Sequence, residues 1–342
     1  MKIAVDVMGG DYAPREIIKG SLLAATEYKQ EVILVGDEER VRAEFGNCGA
    51  GSLISIVHAP EVIEMGEHPA VAVRRKRNSS IVKAAQLVKE GAAAALVSAG
   101  STGAAMASSI ISLGGIKGID RPAIAGILPN ENNITVLLDA GANVDCKPQQ
   151  LLQFGIMGYL YAKKIIGVVN PRVGLLSNGK EETKGNESNL AAFPLLQKAE
   201  INFIGNIEGR DVFNGAVDVV VCDGFVGNIV LKTGEGLAGA LLKMMKEEIS
   251  KSCLAKVGTV MAGPALKELK KRLDWTEYGG APLLGINGVS IICHGGSTAK
   301  AIKNAIRVAR DSVNNHLVEA IRKSVEDAGT KGVGGKFVKK AN

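Results

Sequence analysis

The chain of 342 residues predicts an α/β fold with a large, mainly parallel sheet, mixed at one place. Apolar runs alternate with helical patterns along nearly the whole length, which is how parallel strands and their crossover helices read. The runs are continuous rather than alternating, as in strands buried on both faces. They keep ending in a small polar residue beside glycine: VDVMGGD (5–11), LVGD (34–37), LVSAGSTGA (96–104), LLDAGAN (137–143), LLSNGKE (175–181), VCDGFVGN (221–228) and IICHGGSTA (291–299). In open α/β sheets ligands bind beyond the carboxyl ends of the strands. These endings are therefore expected to line one rim of the sheet.

Taken in order, strands are predicted at 2–8, 31–36, 53–58, 94–98, 122–128, 134–139, 172–177, 202–206, 218–222 and 288–293. Helices are predicted at 14–28, 38–45, 79–90, 101–113, 147–166, 187–198, 227–251, 264–273 and 298–326. The two strands near 122–139 have no helix between them, and Pro129-Asn130-Glu131-Asn132-Asn133 is a turn signal, so that pair is predicted to be a hairpin. The uncharged stretch from Gly91 to Ile116 is long enough to span a bilayer. It is mostly Ala, Gly and Ser around Gly100-Ser101-Thr102-Gly103, and a buried strand, turn and helix are predicted instead.

Segment 227–285 shows no strand pattern and is predicted to be a protruding helical pair. Leu254, Val257, Val260 and Met261 lie at or near its tip, flanked by Lys251, Lys256, Lys267, Lys270, Lys271 and Arg272. An apolar tip with basic flanks suits a contact with an anionic membrane surface; a subunit interface, or a loop packed on its own helices, accounts for it equally. The expected organisation is one α/β domain over 1–328 and a flexible basic tail over 329–342.

Composition narrows the function classes. The net charge of +6 is modest and collects at Arg74-Arg75-Lys76-Arg77, at Lys267–Arg272 and in the tail. These patches lack interleaved aromatics, which speaks against nucleic acid; an acidic protein or an anionic membrane is the alternative to a solvated face. Five cysteines show neither CxxC pairs nor metal-ligand spacing, which fits a reducing cytosol. Cys222 and Cys293 fall inside apolar strands and are expected in the core. The N-terminus begins directly as a strand, with no export signal.

Four constellations carry chemistry. Gly100-Ser101-Thr102-Gly103 and Gly295-Gly296-Ser297-Thr298 each place hydroxyls and backbone N–H groups at a helix N-terminus, where the helix dipole favours an anion. Neither is a Walker loop, and no GxGxxG opens the first βα unit. His294 precedes the second cradle and suits a phosphate donor, an acid/base group or a structural hydrogen bond. The acidic strand ends Asp6, Asp11, Asp139, Asp145 and Asp223, with Asn143 and Asn228, suit a Mg²⁺ site or, better, turn and orientation roles. The polar loop from Ser177 to Gly185 carries Lys180 and Lys184, either of which could hold an anion or polarise a carbonyl. The Arg74–Arg77 cluster precedes a Ser-capped helix and could clamp an acidic partner.

The set Asp6-x-Met8-Gly9-Gly10-Asp11-x-x-Pro14, Ser98-Ala99-Gly100-Ser101-Thr102-Gly103-Ala104, Leu138-Asp139-x-Gly141-Ala142-Asn143, Asn178-Gly179-x-Glu181-x-x-Lys184-Gly185, Cys222-Asp223-Gly224-Phe225-x-Gly227-Asn228 and His294-Gly295-x-Ser297 resembles the PlsX family of bacterial phosphate acyltransferases. Val7 stands where that family has Ala. The resemblance implies a three-layer α/β/α sandwich like that of phosphotransacetylases and isopropylmalate dehydrogenases, usually homodimeric. It implies conversion of fatty acyl–acyl carrier protein and inorganic phosphate to acyl phosphate and free carrier, without a cofactor, at the inner face of the cytoplasmic membrane. On that basis Lys184 and Asn228 are expected to be catalytic, and the motif before the second cradle adds His294. Gly100, Ser101, Thr102, Gly103, Asp139, Asn143, Asp223, Gly296, Ser297 and Thr298 are expected to bind phosphate or substrate. Arg74, Arg75, Lys76 and Arg77 are expected to meet the carrier. Alternatives are a coenzyme A-dependent phosphotransacetylase, an NAD-dependent decarboxylating dehydrogenase and a non-catalytic membrane scaffold.

Overall fold

Continuous aliphatic runs pair into one eleven-stranded sheet in the computed structural model, which describes residues 1–45 and 53–330. The strands are β1 (Lys2–Asp6), β2 (Glu31–Gly36), β3 (Ile54–His58), β4 (Ala95–Ser98), β5 (Ala123–Pro129), β6 (Ile134–Leu138), β7 (Arg172–Leu176), β8 (Asn202–Ile207), β9 (Val219–Val221), β10 (Ala281–Leu284) and β11 (Val289–Ile292). The helices are α1 (Arg15–Tyr28), α2 (Glu38–Phe45), α3 (Pro69–Arg75), α4 (Ser80–Lys89), α5 (Thr102–Leu113), α6 (Pro148–Tyr161), α7 (Glu187–Gln197), α8 (Gly224–Lys251), α9 (Cys253–Met261), α10 (Gly263–Leu273), α11 (Ala299–Asn314) and α12 (Leu317–Thr330).

The strand order is β3-β2-β1-β4-β11-β10-β5-β6-β9-β7-β8. Every pairing is parallel except three consecutive ones, β11–β10, β10–β5 and β5–β6. Three reversals in a row make the half-sheet around β1 and β4 run opposite to the half-sheet around β6 and β9. The strand endings therefore do not all point to one rim, as expected from the sequence; those of the two halves point in opposite directions, and β6 ends inside the sheet with Leu138 opposite Ala125. The two reversals at β10 cancel, so β11 and β5 run the same way and the net change of direction comes from the β5–β6 hairpin. β10 itself is the strand that the sequence reading missed. Its four residues, Ala281-Pro282-Leu283-Leu284, contain a proline and show no periodicity. The hairpin between β5 and β6 is as predicted, its turn held by Asn130 Oδ1, which accepts from the amides of Asn132 and Asn133 at 2.9 and 2.6 Å.

Alternate strand residues sort onto two faces. Ile3, Val5, Val97 and Ile291 pack under α1 and α11, and that layer continues through α6, α7 and α12. Ala4, Leu96, Ile124, Leu283 and Ile292 face the opposite layer of α3, α4 and α5, with the start of α8 beside them. The result is a three-layer α/β/α sandwich. The two halves also overlap along the strands: Ala140, just beyond β6, donates its amide to Ile124 O at 2.9 Å. Ala140, Ala142 and Leu231 thereby join the buried cluster that holds Ala104 and Ala105 of α5.

Several boundaries differ from expectation. The stretch from Gly91 to Ile116 is β4, a turn and α5, and no helix among the described residues is long and apolar enough to cross a membrane. The predicted helix 298–326 breaks at His316, whose φ of 50° turns the chain between α11 and α12. The predicted helix 147–166 ends in a π turn from Ala162 to Ile166. Segment 227–285 holds three helices and β10, not a helical pair without strands. It does stand off the sheet: within α8 only Gly224 and Gly227 are buried, and α10 buries nothing. At about 1.5 Å per residue the 28 residues of α8 reach about 42 Å. Residues 331–342, most of the expected tail, lie outside the described residues, and Gly329 and Thr330 belong to α12.

Candidate functional site

The first cradle forms at the carboxyl end of β4. Ser101 is the N-cap of α5, and its Oγ accepts the amide of Ala104 at 3.4 Å. Gly100 is buried; its amide donates to Ser98 Oγ at 3.2 Å, and that hydroxyl donates to Asp6 Oδ2 at 2.8 Å. Asp6 also accepts the amide of Met8. Burial raises the Asp6 carboxyl above the usual range, opposed by hydrogen bonds from Ser80 and Ser98. Gly9 lies against this turn so closely that a Cβ there would come within 2.7 Å of Gly100 Cα. Gly103 packs on Pro69, the first residue of α3. The amides that a first helical turn leaves unbonded therefore open where the exposed Thr102 stands.

The second cradle neighbours the first through the loop after β1, since Asp11 donates its amide to Gly295 O at 2.9 Å. Its chemistry differs from expectation. The first amide of α11, that of Ala299, donates to Glu16 Oε2 at 2.7 Å, so a carboxylate already sits at this N-terminus. Gly296 donates to His294 Nδ1 at 3.3 Å, and the His294 ring lies 5.6 Å from the Trp275 ring. Thr298 is the N-cap but makes no side-chain cap bond. Ser297 Oγ is fully buried without a hydrogen-bond partner among the described residues.

A third group forms where β6 and β9 end. Asp139, fully buried, accepts the amides of Ile124, Gly141 and Ala142 on Oδ1 at 3.0–3.2 Å, and both the amide and side-chain nitrogen of Asn143 on Oδ2. Burial raises its carboxyl, and those same bonds oppose the shift. Asn143 Nδ2 also donates to Pro122 O at 2.8 Å. Asp223 caps α8 by accepting the amide of Val226 at 2.8 Å. These three polar side chains are spent on holding the loop. Asn228 is exposed one turn into α8, beside Gly141. Among the described residues no group of three His, Cys, Asp or Glu side chains comes together as a cation site.

Lys184 is exposed on the loop after β7, and among the described residues no carboxylate pairs with it, whereas Lys180 is paired with Asp211 at 3.1 Å. The sequence reading missed Asn206 near the end of β8, which donates to Glu181 O at 2.8 Å and Lys184 O at 3.5 Å. A strand closing in Gly205-Asn206 was a signal of the kind already used for the other strands. Glu16 carried no such signal, because its partner lies 283 residues away.

The Arg74–Arg77 cluster is divided. Arg74, Arg75 and Arg77 are exposed, while Lys76 is paired with Glu67 and donates to Val62 O at 2.8 Å. At the tip, Leu254, Val257, Val260 and Met261 on α9 are 82, 60, 80 and 81% exposed. Cys146, Cys222 and Cys293 are buried free thiols; burial pushes the Cys146 and Cys293 thiols up to about 12 and Cys222 well above its ordinary value.

Sheet order and helix layers define a three-layer α/β/α fold. A phosphotransacetylase from Streptococcus pyogenes shares the fold with a TM-score of 0.64 at 18% identity, over 92% of this chain and 94% of that one. The EutD phosphotransacetylase from Staphylococcus aureus does so with a TM-score of 0.61, also at 18% identity and over the same shares. A family described as fatty acid synthesis protein matches residues 1–320, and the chain belongs to it. Relatives named phosphate acyltransferase are 75% identical over 338 residues in Pelotomaculum thermopropionicum, covering 99% of each chain, and 57% identical over 327 residues in Desulforamulus reducens, covering 96% and 98%.

Proposed function

We propose that this protein is a phosphate acyltransferase that moves a fatty acyl group from acyl carrier protein to inorganic phosphate. Family membership supports the transfer to phosphate. The observation that carries the site is the open N-terminus of α5 at Gly100-Ser101-Thr102-Gly103, where first-turn amides and the helix dipole favour a dianion. The second cradle, with Glu16 at its first amide, is the weaker phosphate site; there Ser297 and Thr298 frame the loop and His294 orients it.

A thioester is already activated, so the enzyme needs to bind phosphate, aim it and stabilise the oxyanion. An oxygen of hydrogen phosphate attacks the thioester carbonyl carbon, the tetrahedral intermediate collapses, the C–S bond breaks, and the carrier thiolate leaves and takes up the proton that the phosphate gives up. Lys184, with no carboxylate partner among the described residues, neutralises charge on the incoming phosphate. Asn228, exposed on the first turns of α8, donates to the thioester oxygen. Asp139, Asn143 and Asp223 act indirectly, by fixing the loop beneath Asn228.

Arg74, Arg75 and Arg77 form a cationic face for the acidic carrier. The exposed apolar tip of α9 forms a peripheral contact with an anionic membrane. The working unit in this reading is a cytoplasmic, membrane-associated homodimer.

Incubating the purified protein with palmitoyl–acyl carrier protein and labelled phosphate tests the reaction. The expected product is a hydroxylamine-sensitive acyl phosphate that forms only with phosphate present; no such product overturns the reading. A second reading, with coenzyme A as the acyl carrier, is favoured by the shared fold; a larger kcat/KM for palmitoyl–coenzyme A than for the carrier-protein thioester would establish it.

A further inference from the structure

Lys184 has no side-chain partner to place it among the described residues, so its position depends on its backbone. That backbone is held at two carbonyls by one side chain. Asn206 Nδ2 donates to Glu181 O at 2.8 Å and to Lys184 O at 3.5 Å, and these two residues close a turn in which Lys184 N donates to Glu181 O at 3.0 Å. The amide orientation is determined by its surroundings, since the opposite one would set Oδ1 against two carbonyl oxygens. Other bonds steady the loop at different points: Gly185 N to Asn178 Oδ1 at 3.0 Å, Asn189 Nδ2 to Leu176 O at 2.7 Å, and Lys180 to Asp211. Among the described residues, Asn206 is the side chain that holds the carbonyl of Lys184.

Asn206 is 6% exposed, and its Oδ1 is one of three buried side-chain atoms without a hydrogen-bond partner among the described residues. A buried acceptor without a donor is unfavourable, and an apolar residue of similar size would serve β8 better. The asparagine is therefore poorly explained by the stability of the strand and well explained by its grip on the loop.

Resting on the reading of Lys184 as a catalytic group, we infer that Asn206 is the positioning residue of the reaction: it fixes the turn from Glu181 to Lys184 so that the ammonium meets phosphate in one geometry. Substitution at Asn206 lowers turnover through Lys184 without weakening the hold on the acyl donor.

The test compares the full-length protein with Asn206→Leu and Asn206→Asp in acyl phosphate formation at saturating phosphate. Asn206→Asp keeps size and shape but turns an acceptor toward the two carbonyls. Both variants are expected to lose roughly tenfold or more in kcat while KM for the acyl donor stays within about threefold. The melting midpoint of Asn206→Leu stays near that of the wild type, while that of Asn206→Asp falls because a carboxylate is buried against two carbonyls; in both the phosphate-induced rise in midpoint is reduced, as it is in Lys184→Ala. Unchanged kcat in either variant overturns the inference, as does a loss no larger than the unfolded fraction explains. Should Asn206→Asp fail to fold, Asn206→Leu carries the test alone, and should both fail, Asn206→Ser, smaller and still polar, replaces them with the same expected loss in kcat. A wild-type protein that makes no acyl phosphate overturns the reaction itself, a result distinct from any seen with the variants.

Discussion

Glu16 Oε2 accepts the amide hydrogen of Ala299 at 2.7 Å, joining the first turn of α1 to the first turn of α11. The bond places negative charge where the second glycine-serine-threonine turn was expected to hold phosphate. Carboxylate caps of this kind contribute about 0.5–2 kcal/mol. Glu16→Ala is expected to lower stability by about 1 kcal/mol in denaturant titration. Ser297→Ala, read by initial rates, is expected to change KM for phosphate less than Thr102→Ala does.

Gly9 and Gly100 lie too close for a side chain between them. A Cβ at Gly9 would sit 2.7 Å from Gly100 Cα and 2.8 Å from Gly100 N, and both contacts are backbone that cannot swing away. Gly9→Ala is expected to destabilise by about 1–3 kcal/mol and to remove most turnover, whereas Gly91→Ala, at an open position far from the cradle, loses stability through its φ of 75° and keeps kcat. Melting midpoints and kcat, measured together, separate the two.

Thiol chemistry is expected to be silent at three positions. With thiols pushed up to about 12, Cys146 and Cys293 are in the reactive thiolate form at about one part in ten thousand at pH 8, and Cys222 is raised as well. A raised thiol gains reactivity only as pH climbs toward that value. Iodoacetamide at pH 8 should leave these three unmodified in the native protein by peptide mass mapping and label them in denaturant; native labelling at any of them refutes the assignment.

The cationic face divides into two jobs. Arg74→Glu, Arg75→Glu and Arg77→Glu together are expected to raise KM for acyl carrier protein several-fold and to flatten its salt dependence. Lys76→Ala breaks the pair with Glu67, whose carboxyl Lys76 holds below its ordinary value. It is expected to affect the local fold and leave the salt dependence of KM in place.

The tip of α9 is expected to govern membrane attachment. Leu254→Glu with Val260→Glu changes two side chains that are 82 and 80% exposed, so the fold should be kept. Flotation with anionic liposomes should show release of the variant; undiminished binding would assign the tip to another partner.

Local patterns carried most of the architecture. Ten of the strands, the hairpin after Pro129 and the N-cap at Ser101 each depend on residues within a few positions of one another, where periodicity and turn chemistry act directly. The proposal of Lys184 and Asn228 draws on contiguous motifs in the same way. What the sequence by itself determined about this protein is thus its α/β class, its family resemblance and the chemistry offered at each strand end. Only the tertiary structure decided which ends meet. The four residues of β10 pair between β11 and β5 and so join the two halves of the sheet, Glu16 reaches across 283 residues to occupy the N-terminus of α11, and Asn206 comes to hold the carbonyl of Lys184. Each depends on a partner distant in the chain, and a through-space contact between short polar or apolar segments leaves no period or spacing in the sequence from which it could be read.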